Sequence, residues 1–226
     1  PCGLPNAFAS DPYLAQVVAR TFELGARGRT DDGSFNWSAA VFRTSNRDDI
    51  QFVAANTSEG YFANVGGTLY FAANDGTTGV ELWKSDGTTG GTALVRDIHS
   101  SDSSSPRNLT NVGGALFFSA IDGVHGRELW RSDGTEAGTS LVFNVAPTGD
   151  SYPLNLTNVG GTLFFYAAEE VAGKELWKSD GTEAGTLRVK EIRPGAVSSS
   201  PRFLTNVDGT LYFNANDGVS GLELWR

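Results

Sequence analysis

Aspartates that recur at one fixed place before a glycine are the side chains best suited to do chemistry in this chain. Asp86, Asp133 and Asp180 each lie within the sequence Ser-Asp-Gly-Thr. Loops that carry carboxylates can bind calcium, but calcium takes about six to eight oxygen ligands and these loops carry few acidic side chains. Aspartate followed by glycine is also typical of tight turns. We therefore predict that these aspartates stabilise turns and bind no metal, together with the glycines that follow them, Gly87, Gly134 and Gly181.

Tryptophans recur with the same period. Trp83, Trp130, Trp177 and Trp225 each follow Glu-Leu and stand 47 or 48 residues apart. Exposed aromatic rings can bind sugars, but one tryptophan at a fixed place in every repeat is more typical of a core buried between repeats. We predict that these tryptophans pack rather than bind a ligand.

The remaining reactive side chains do not form a recognisable catalytic set. His99 and His125 stand in different loop contexts, and neither belongs to a zinc-binding motif. The sequence contains no Gly-x-Ser-x-Gly elbow, phosphate loop or dinucleotide fingerprint, and Cys2 is its single cysteine. We predict no catalytic residue and no cofactor, and therefore a protein that is not an enzyme.

A propeller-fold enzyme is an alternative that would collect acid and nucleophile residues from several repeats. Such residues should interrupt the repeat pattern. The interruptions are Arg127, Lys174, Glu169 and Glu170, which stand in one loop of the repeat. We interpret them as surface variation.

The composition restricts the partners. Across 226 residues, 26 Asp and Glu outnumber 17 Lys and Arg, which gives a net charge of −9. This excess of negative charge argues against nucleic acid or an anionic membrane surface as the main partner.

The 28 glycines and the aromatic content of 11% favour many short strands joined by tight turns.

A unit of about 47 residues repeats along most of the chain. Its first mark is Asn-Val-Gly-Gly at residues 64–67, 111–114 and 158–161, and Asn-Val-Asp-Gly at 206–209. Within the second copy we predict strands at Arg107–Val112, Ala115–Ala120, Arg127–Ser132 and Ser140–Val145. Gly-Gly and Asp-Gly pairs between them accept the positive φ of hairpin turns.

Both faces of the second strand of a copy are apolar. We expect Leu116 and Phe118 on one face and Phe117 and Ala120 on the other, so that neighbouring sheets cover both sides. Four-stranded units of this length, stacked face to face, are typical of β-propeller blades. The predicted fold is all-β and propeller-like, with three full blades and an incomplete fourth, and a linear β-solenoid is the alternative.

The sequence Glu81-Leu82-Trp83-Lys84-Ser85-Asp86-Gly87-Thr88 and its equivalents from Glu128 and Glu175 resemble the ELWxxDGT repeats of bacterial surface or secreted proteins. This resemblance covers about residues 60–226, with units at 58–105, 106–152, 153–200 and an incomplete 201–226. It implies an extracellular or cell-surface bacterial protein, associated with the outer membrane, and it implies no chemistry.

Residues 1–57 differ in composition and form a separate predicted segment. Asp11–Val18 is a short helix or an extended lead-in, and Thr21–Arg29 and Phe35–Arg43 alternate as a β-hairpin around Asp32-Gly33. Residues 1–66 also resemble barrel strands of TonB-dependent receptors, on segments such as Phe22–Gly28 and Trp37–Arg43. A competing interpretation makes residues 47–55 the last strand of the fourth copy, closing a ring.

These observations predict a binding or structural surface module with an unknown protein or carbohydrate ligand. The variable loops Val124–Arg127 and Glu169–Lys174 would present its binding surface on a fixed scaffold. The alternative is a fragment of a TonB-dependent outer-membrane receptor fused to repeats, which would contact the membrane through the N-terminal segment. Because the sequence starts with Pro1 and stops midway through a repeat at Arg226, we expect a fragment or a composite of a longer protein.

Overall fold

The computed structural model describes residues 62–169 and 173–226 together with three backbone strands nearer the N-terminus. The chain divides into two compact units, Pro1–Val53 and Ala54–Arg226. Every regular element of the described residues is a β-strand, in agreement with the predicted all-β fold. Within this part of the chain, no helix has the length and apolar character needed to cross a membrane.

The first unit contains an antiparallel sheet of three strands, β1 (Phe22–Arg29), β2 (Asn36–Arg43) and β3 (Ile50–Phe52). β1 and β2 pair along their whole length, from Phe22 opposite Arg43 to Arg29 opposite Asn36, so the predicted hairpin is confirmed. The segment Asp11–Val18 and the turn at Asp32-Gly33 lie outside the described residues.

The ring-closing interpretation of residues 47–55 is wrong, because β3 pairs with β2. Val41 stands opposite Phe52, and Arg43 stands opposite Ile50. The strands of the fourth copy form a separate three-stranded sheet that does not include β3.

The second unit contains four antiparallel sheets in tandem, each a meander of consecutive strands. Sheet I contains β4 (Phe62–Val65), β5 (Thr68–Asn74), β6 (Val80–Ser85) and β7 (Ala93–Arg96). Sheet II contains β8 (Arg107–Val112), β9 (Ala115–Ala120), β10 (Glu128–Ser132) and β11 (Ser140–Phe143). In sheet II, β8, β9 and β11 begin at the predicted residues, and β10 begins at Glu128 rather than at the predicted Arg127. β11 ends at Phe143, two residues before the predicted Val145.

Sheet III repeats this plan and sheet IV repeats its first three strands. Sheet III contains β12 (Leu154–Val159), β13 (Thr162–Glu169), β14 (Gly173–Ser179) and β15 (Leu187–Lys190). Sheet IV contains β16 (Arg202–Val207), β17 (Thr210–Asn216) and β18 (Leu222–Trp225). In each full sheet the register between the third and fourth strands shifts between the leucine and the tryptophan of Glu-Leu-Trp.

Apolar clusters fill the spaces between consecutive sheets. Between sheets I and II, Tyr70 and Leu82 meet Phe118 and Trp130. Between sheets II and III, Phe117 and Leu129 meet partners that include Phe165 and Trp177, and between III and IV, Leu176 meets Phe213. Each inner sheet therefore buries both faces, as the tandem propeller-like arrangement requires.

One face assignment from the sequence is wrong. Ala120 lies in the cluster between sheets I and II together with Leu116 and Phe118, not with Phe117. Side chains alternate along a strand, so residues 116, 118 and 120 share one face. Ser119, which is fully buried, is the residue on the Phe117 side.

Candidate functional site

The recurring Ser-Asp-Gly-Thr segments form closed turns between the third and fourth strands of sheets I, II and III. In sheet II, Oδ1 of Asp133 accepts hydrogen bonds from the backbone N–H of Thr135 at 2.8 Å and from its hydroxyl at 2.7 Å. Asp86 and Asp180 make the same pair of bonds to Thr88 and Thr182. The hydroxyl of Thr135 in turn accepts from the N–H of Gly138 at 2.9 Å.

These bonds favour the charged carboxylate. The threonine hydroxyl first, and then the threonine N–H, hold the pKa of Asp86, Asp133 and Asp180 below its usual range. Each aspartate therefore uses its Oδ1 oxygen to hold its own turn.

Each turn ends in a second Gly-Thr pair, and its glycine is required because the turn has no room for a side chain at that position. A Cβ at Gly138 would lie 2.0 Å from Oδ1 of Asp133, and at Gly91 and Gly185 it would lie 1.9 and 2.0 Å from the equivalent oxygens. No side chain fits there unless the aspartate leaves the turn.

In sheets II and III the first glycine of the turn also lies against the sheet before it. Gly134 has a φ of 89°, and a Cβ there would lie 2.1 Å from the hydroxyl oxygen of Tyr70 in sheet I. The ammonium of Lys84 donates to the carbonyl of Gly134 at 2.7 Å. A Cβ at Gly181 would likewise crowd the side chains of Phe117 and Arg131 in sheet II. The turns therefore lock neighbouring sheets together.

A second recurring carboxylate, which the sequence analysis did not single out, is the glutamate of Glu-Leu-Trp. Glu81, Glu128 and Glu175 are fully buried. Glu128 accepts from the N–H of Val145 at 3.0 Å, and from the N–H and hydroxyl of Ser151 at 3.1 and 2.6 Å. The other two make equivalent bonds to Ile98 and Ser104, and to Ile192 and Ser199.

These glutamates fix the segment that leads from one sheet to the next. The N–H of Tyr152, next to Ser151, donates at 3.2 Å to the carbonyl of Arg127, which directly precedes β10 of sheet II. The carbonyl of Ser151 accepts from the N–H of Ala168 in sheet III at 2.7 Å. Burial raises the pKa of Glu128, although the bonds from Ser151, Val145 and Ala146 oppose that shift. We call each pair of a buried glutamate and the serine that it binds, 23 or 24 residues later, a Glu–Ser connection.

The sequence carried a signal for this feature. The serine always stands two residues before a proline, in Ser104-Ser105-Pro106, Ser151-Tyr152-Pro153 and Ser199-Ser200-Pro201. The middle residue has a positive φ in all three copies, at 46°, 46° and 50°. Ser-x-Pro after each sheet was therefore a recurring motif, although its glutamate partner stands 23 or 24 residues earlier.

Three of the four tryptophans, Trp130, Trp177 and Trp225, lie between consecutive sheets. Trp130 and Trp177 are 4% and 6% exposed, which leaves too little ring surface to stack on a sugar. Trp177 stacks on Phe165, with ring centroids 6.4 Å apart. The ammonium of Lys190 in sheet III lies 5.1 Å from the ring centroid of Trp225 in sheet IV. Trp83, in the first sheet, is half-buried.

The loops between the second and third strands carry the two most exposed large apolar side chains among the described residues. Asp75, Asp122 and Asp217 begin these loops and accept two backbone N–H groups each, from residues two and three positions later. At the loop ends, Val124 is 83% exposed and Val219 is 92% exposed.

The interpretation of the repeat departures as surface variation is wrong for Arg127. Its side chain is only 7% exposed, and Nη1 donates to the carbonyls of Ser105 and Ser119 at 2.9 and 3.3 Å. Glu169 is paired with Arg188 at 3.1 Å. Glu170 and the two residues after it lie outside the described residues.

Both histidines are partly buried. His99 is half-buried and stands against Gly123 of the next sheet, and Nδ1 of His125 lies 2.8 Å from Oδ2 of Asp122. Across residues 62–169 and 173–226, no three His, Cys, Asp or Glu side chains come together as a metal site. Cys2 lies outside the described residues.

Comparisons with known proteins identify a family. The family described as TonB dependent receptor-like, β-barrel, matches residues 2–190. This match covers well over half of the chain, and the protein therefore belongs to the TonB dependent receptor-like β-barrel family. The predicted resemblance of residues 1–66 to such receptors is supported, and the match continues through sheets I to III. The resemblance to ELWxxDGT repeats stays a prediction.

A comparison with curated proteins finds no match. Among solved structures, the chain is similar to one described as a structural and mechanistic analysis of two prolyl endopeptidases, with 12% identity and a TM-score of 0.49. The alignment covers 91% of this chain and 33% of that chain, so this protein spans about a third of its length.

Proposed function

We propose that sheets I to IV form a non-enzymatic, propeller-like binding or structural module on the bacterial cell surface, associated with the outer membrane. The exposed ends of the loops between second and third strands carry this proposal. Val124 and Val219 hold apolar side chains in solvent on loops whose bases are fixed by Asp122 and Asp217. Variable loops on a rigid repeat scaffold are a common way to build a binding surface.

The roles of the acidic residues support a function without catalysis. Asp133 and its equivalents hold turns, and Glu128 and its equivalents hold the segments between sheets. A buried carboxylate such as Glu128, with both oxygens accepting hydrogen bonds from the protein, is placed for stability rather than for proton transfer to a substrate. Membership of the receptor-like family supports the association with the outer membrane.

The proposed ligand is an extracellular carbohydrate or an extracellular protein. The test is binding of the full chain to a panel of immobilised bacterial polysaccharides and extracellular matrix proteins. We expect at least one to bind, and the double substitution Val124→Asp and Val219→Asp to weaken that binding. Val197→Asp is the matched control, because Val197 is also exposed, at 53%, but lies in the segment between sheets III and IV. Binding that neither loop substitution changes would contradict the loop surface.

A second candidate function is nutrient uptake as part of a TonB-dependent outer-membrane receptor, which the family membership favours. The two functions differ in how the protein is held. When the full chain is produced in a bacterium with an outer membrane, a receptor fragment should be extracted from the membrane only by detergent. A surface module should be released by salt or found in the medium.

A further inference from the structure

Three side chains that depart from the repeat come together where sheet II leads into sheet III. They are Arg127, Asp150 and Tyr152. The equivalent residues in the copies of sheets I and III are Val80 and Lys174 for the first, Ser103 and Ser198 for the second, and Ser105 and Ser200 for the third. Sheet II has a neighbouring sheet on each side, so the exposure of these residues does not depend on either end of the chain.

The aspartate brings more than its structural position requires. In the other two copies a serine hydroxyl oxygen accepts the backbone N–H of the residue before Glu-Leu-Trp, from Val80 at 2.9 Å and from Lys174 at 2.9 Å. Asp150 accepts the equivalent N–H of Arg127 with its Oδ1. A serine therefore meets the structural need, and Asp150 adds a second oxygen and a negative charge.

The tyrosine is not required by the backbone either. Its φ is 46°, and the equivalent serines have the same kind of positive φ, 46° at Ser105 and 50° at Ser200. A positive φ disfavours bulky side chains, so tyrosine costs the fold more here than serine does. The side chain of Tyr152 is nevertheless 47% exposed. A tyrosine that costs stability and leaves its ring in solvent is typical of a binding contact.

A hydrogen bond and charge connect the three residues. The hydroxyl of Tyr152 donates to the carboxylate of Asp150, and this bond, more than the charge of Asp150, raises the pKa of Tyr152 above its usual range. The charge of Arg127 acts on the same pKa in the opposite direction. Arg127 is buried and donates to the carbonyls of Ser105 and Ser119. The group therefore combines one phenol, one carboxylate and one cation.

The exposed loop between the second and third strands of sheet II borders this group. A Cβ at Gly126 would lie 2.6 Å from Oδ1 of Asp150, so the loop and the connecting segment touch. The loop presents Val124, which is 83% exposed, and His125, whose side chain is 37% exposed. Asp150 thus contacts both the loop and Tyr152, and the three form one surface.

We propose that this surface, made of Tyr152, Asp150 and the loop with Val124 and His125, binds a neutral saccharide. The proposal rests on the proposed binding function and names its ligand class and further contact residues. An exposed tyrosine ring offers the flat apolar face on which a sugar ring stacks, and its hydroxyl stays hydrogen-bonded. The carboxylate of Asp150 accepts hydrogen bonds from sugar hydroxyl groups. Since Arg127 balances Asp150, the group offers no net charge that attracts an anion or a cation.

The test uses a variant that restores the residue of the other copies. The full chain is screened against an array of neutral oligosaccharides, acidic saccharides and extracellular matrix proteins, and the strongest ligand is then measured by titration calorimetry. We expect a neutral oligosaccharide to bind, and Tyr152→Ser to weaken the binding roughly tenfold or more, which corresponds to about 1.4 kcal/mol. Tyr152→Phe keeps the ring and should keep most of the affinity. Tyr152→Ser should fold normally, because serine stands at this position in the other two copies.

Phe203→Asn is the matched control. Phe203 is also an aromatic residue with a positive φ, 57°, and is 74% exposed, but it lies in β16 of sheet IV, and asparagine stands at its position in sheets II and III. It should leave the affinity unchanged. Binding to acidic saccharides or proteins alone, or neutral saccharide binding that Tyr152→Ser leaves unchanged, overturns this inference and leaves the proposed binding function standing. A chain that binds no member of the array contradicts both.

Discussion

At the scale of single residues, a few buried or crowded positions decide whether the sheets join correctly. Glu128 is the clearest, because a fully buried carboxylate holds three backbone N–H groups and one hydroxyl. Such hydrogen bonds to a charged group are stronger than neutral ones, and the groups left behind would be buried without partners.

Glu128→Gln should therefore destabilise the protein by about 2 kcal/mol, because an amide accepts fewer of these bonds. The measurement is urea unfolding followed by tryptophan fluorescence. Glu136→Gln is the matched control in the same sheet, since the Glu136 side chain is exposed, and it should leave the midpoint unchanged. Equal midpoints for the two variants would contradict the role of the Glu–Ser connection.

Gly138→Ala should also destabilise the protein, by about 1–3 kcal/mol. The added Cβ would lie 2.0 Å from Asp133 Oδ1 and would force the aspartate out of the turn. Gly149→Ala is the control, because nothing lies within 4 Å of its Cβ position. Thermal melting of both variants checks this, and a Gly138→Ala protein as stable as Gly149→Ala would show that the turn tolerates the change.

At the scale of elements, the sequence predicted strands well and their long-range partners poorly. β8 and β9 begin and end where Asn-Val-Gly-Gly and the alternating apolar residues placed them, because hairpin pairing is local. The Glu–Ser connection joins residues 23 apart, and only the path of the chain between sheets brings Glu128 to Ser151. Burial of Arg127 was missed for the same reason, since its acceptors include Ser105 in the preceding segment.

The turns make stability depend on pH. The pKa of Asp86, Asp133 and Asp180 lies below its ordinary value of 3.8, so folding favours the carboxylate. This stabilisation is present above about pH 4 and is lost as the pH falls through the lowered pKa values. The raised pKa of Glu128 makes stability change with pH in the opposite direction, but this single glutamate is outnumbered by the three aspartates.

We therefore expect the melting temperature to fall between pH 5 and 3, and to fall less in Asp133→Asn. Asparagine keeps an acceptor oxygen for Thr135 but does not titrate. A melting temperature that is constant or rises over this range would contradict the assignment.

Packing between sheets can be compared at one strand position in two environments. Leu129→Ala removes a fully buried side chain between sheets II and III and should cost about 2–5 kcal/mol. Leu224→Ala at the equivalent place in sheet IV, where the side chain is 71% exposed, should cost less than about 0.5 kcal/mol in dilute, monomeric protein. Similar losses for both variants would mean that the position matters within its own sheet rather than between sheets.

At the scale of the whole molecule, the protein combines membership of a receptor-like β-barrel family with separate tandem sheets in residues 62–226. In a repeat array each unit contacts mainly its neighbours, so stability adds up from sheets and interfaces. The three apolar clusters, one between each pair of consecutive sheets, provide such interfaces.

The most direct test of this account is the folding of residues 54–226 produced alone, without detergent, and followed by far-UV circular dichroism and thermal melting. The account predicts a soluble β-rich protein with a cooperative transition, because Ala54–Arg226 is one compact unit with its own clusters. Aggregation of this piece, with folding seen only for the full chain in detergent, would contradict it and would favour a barrel embedded in the membrane.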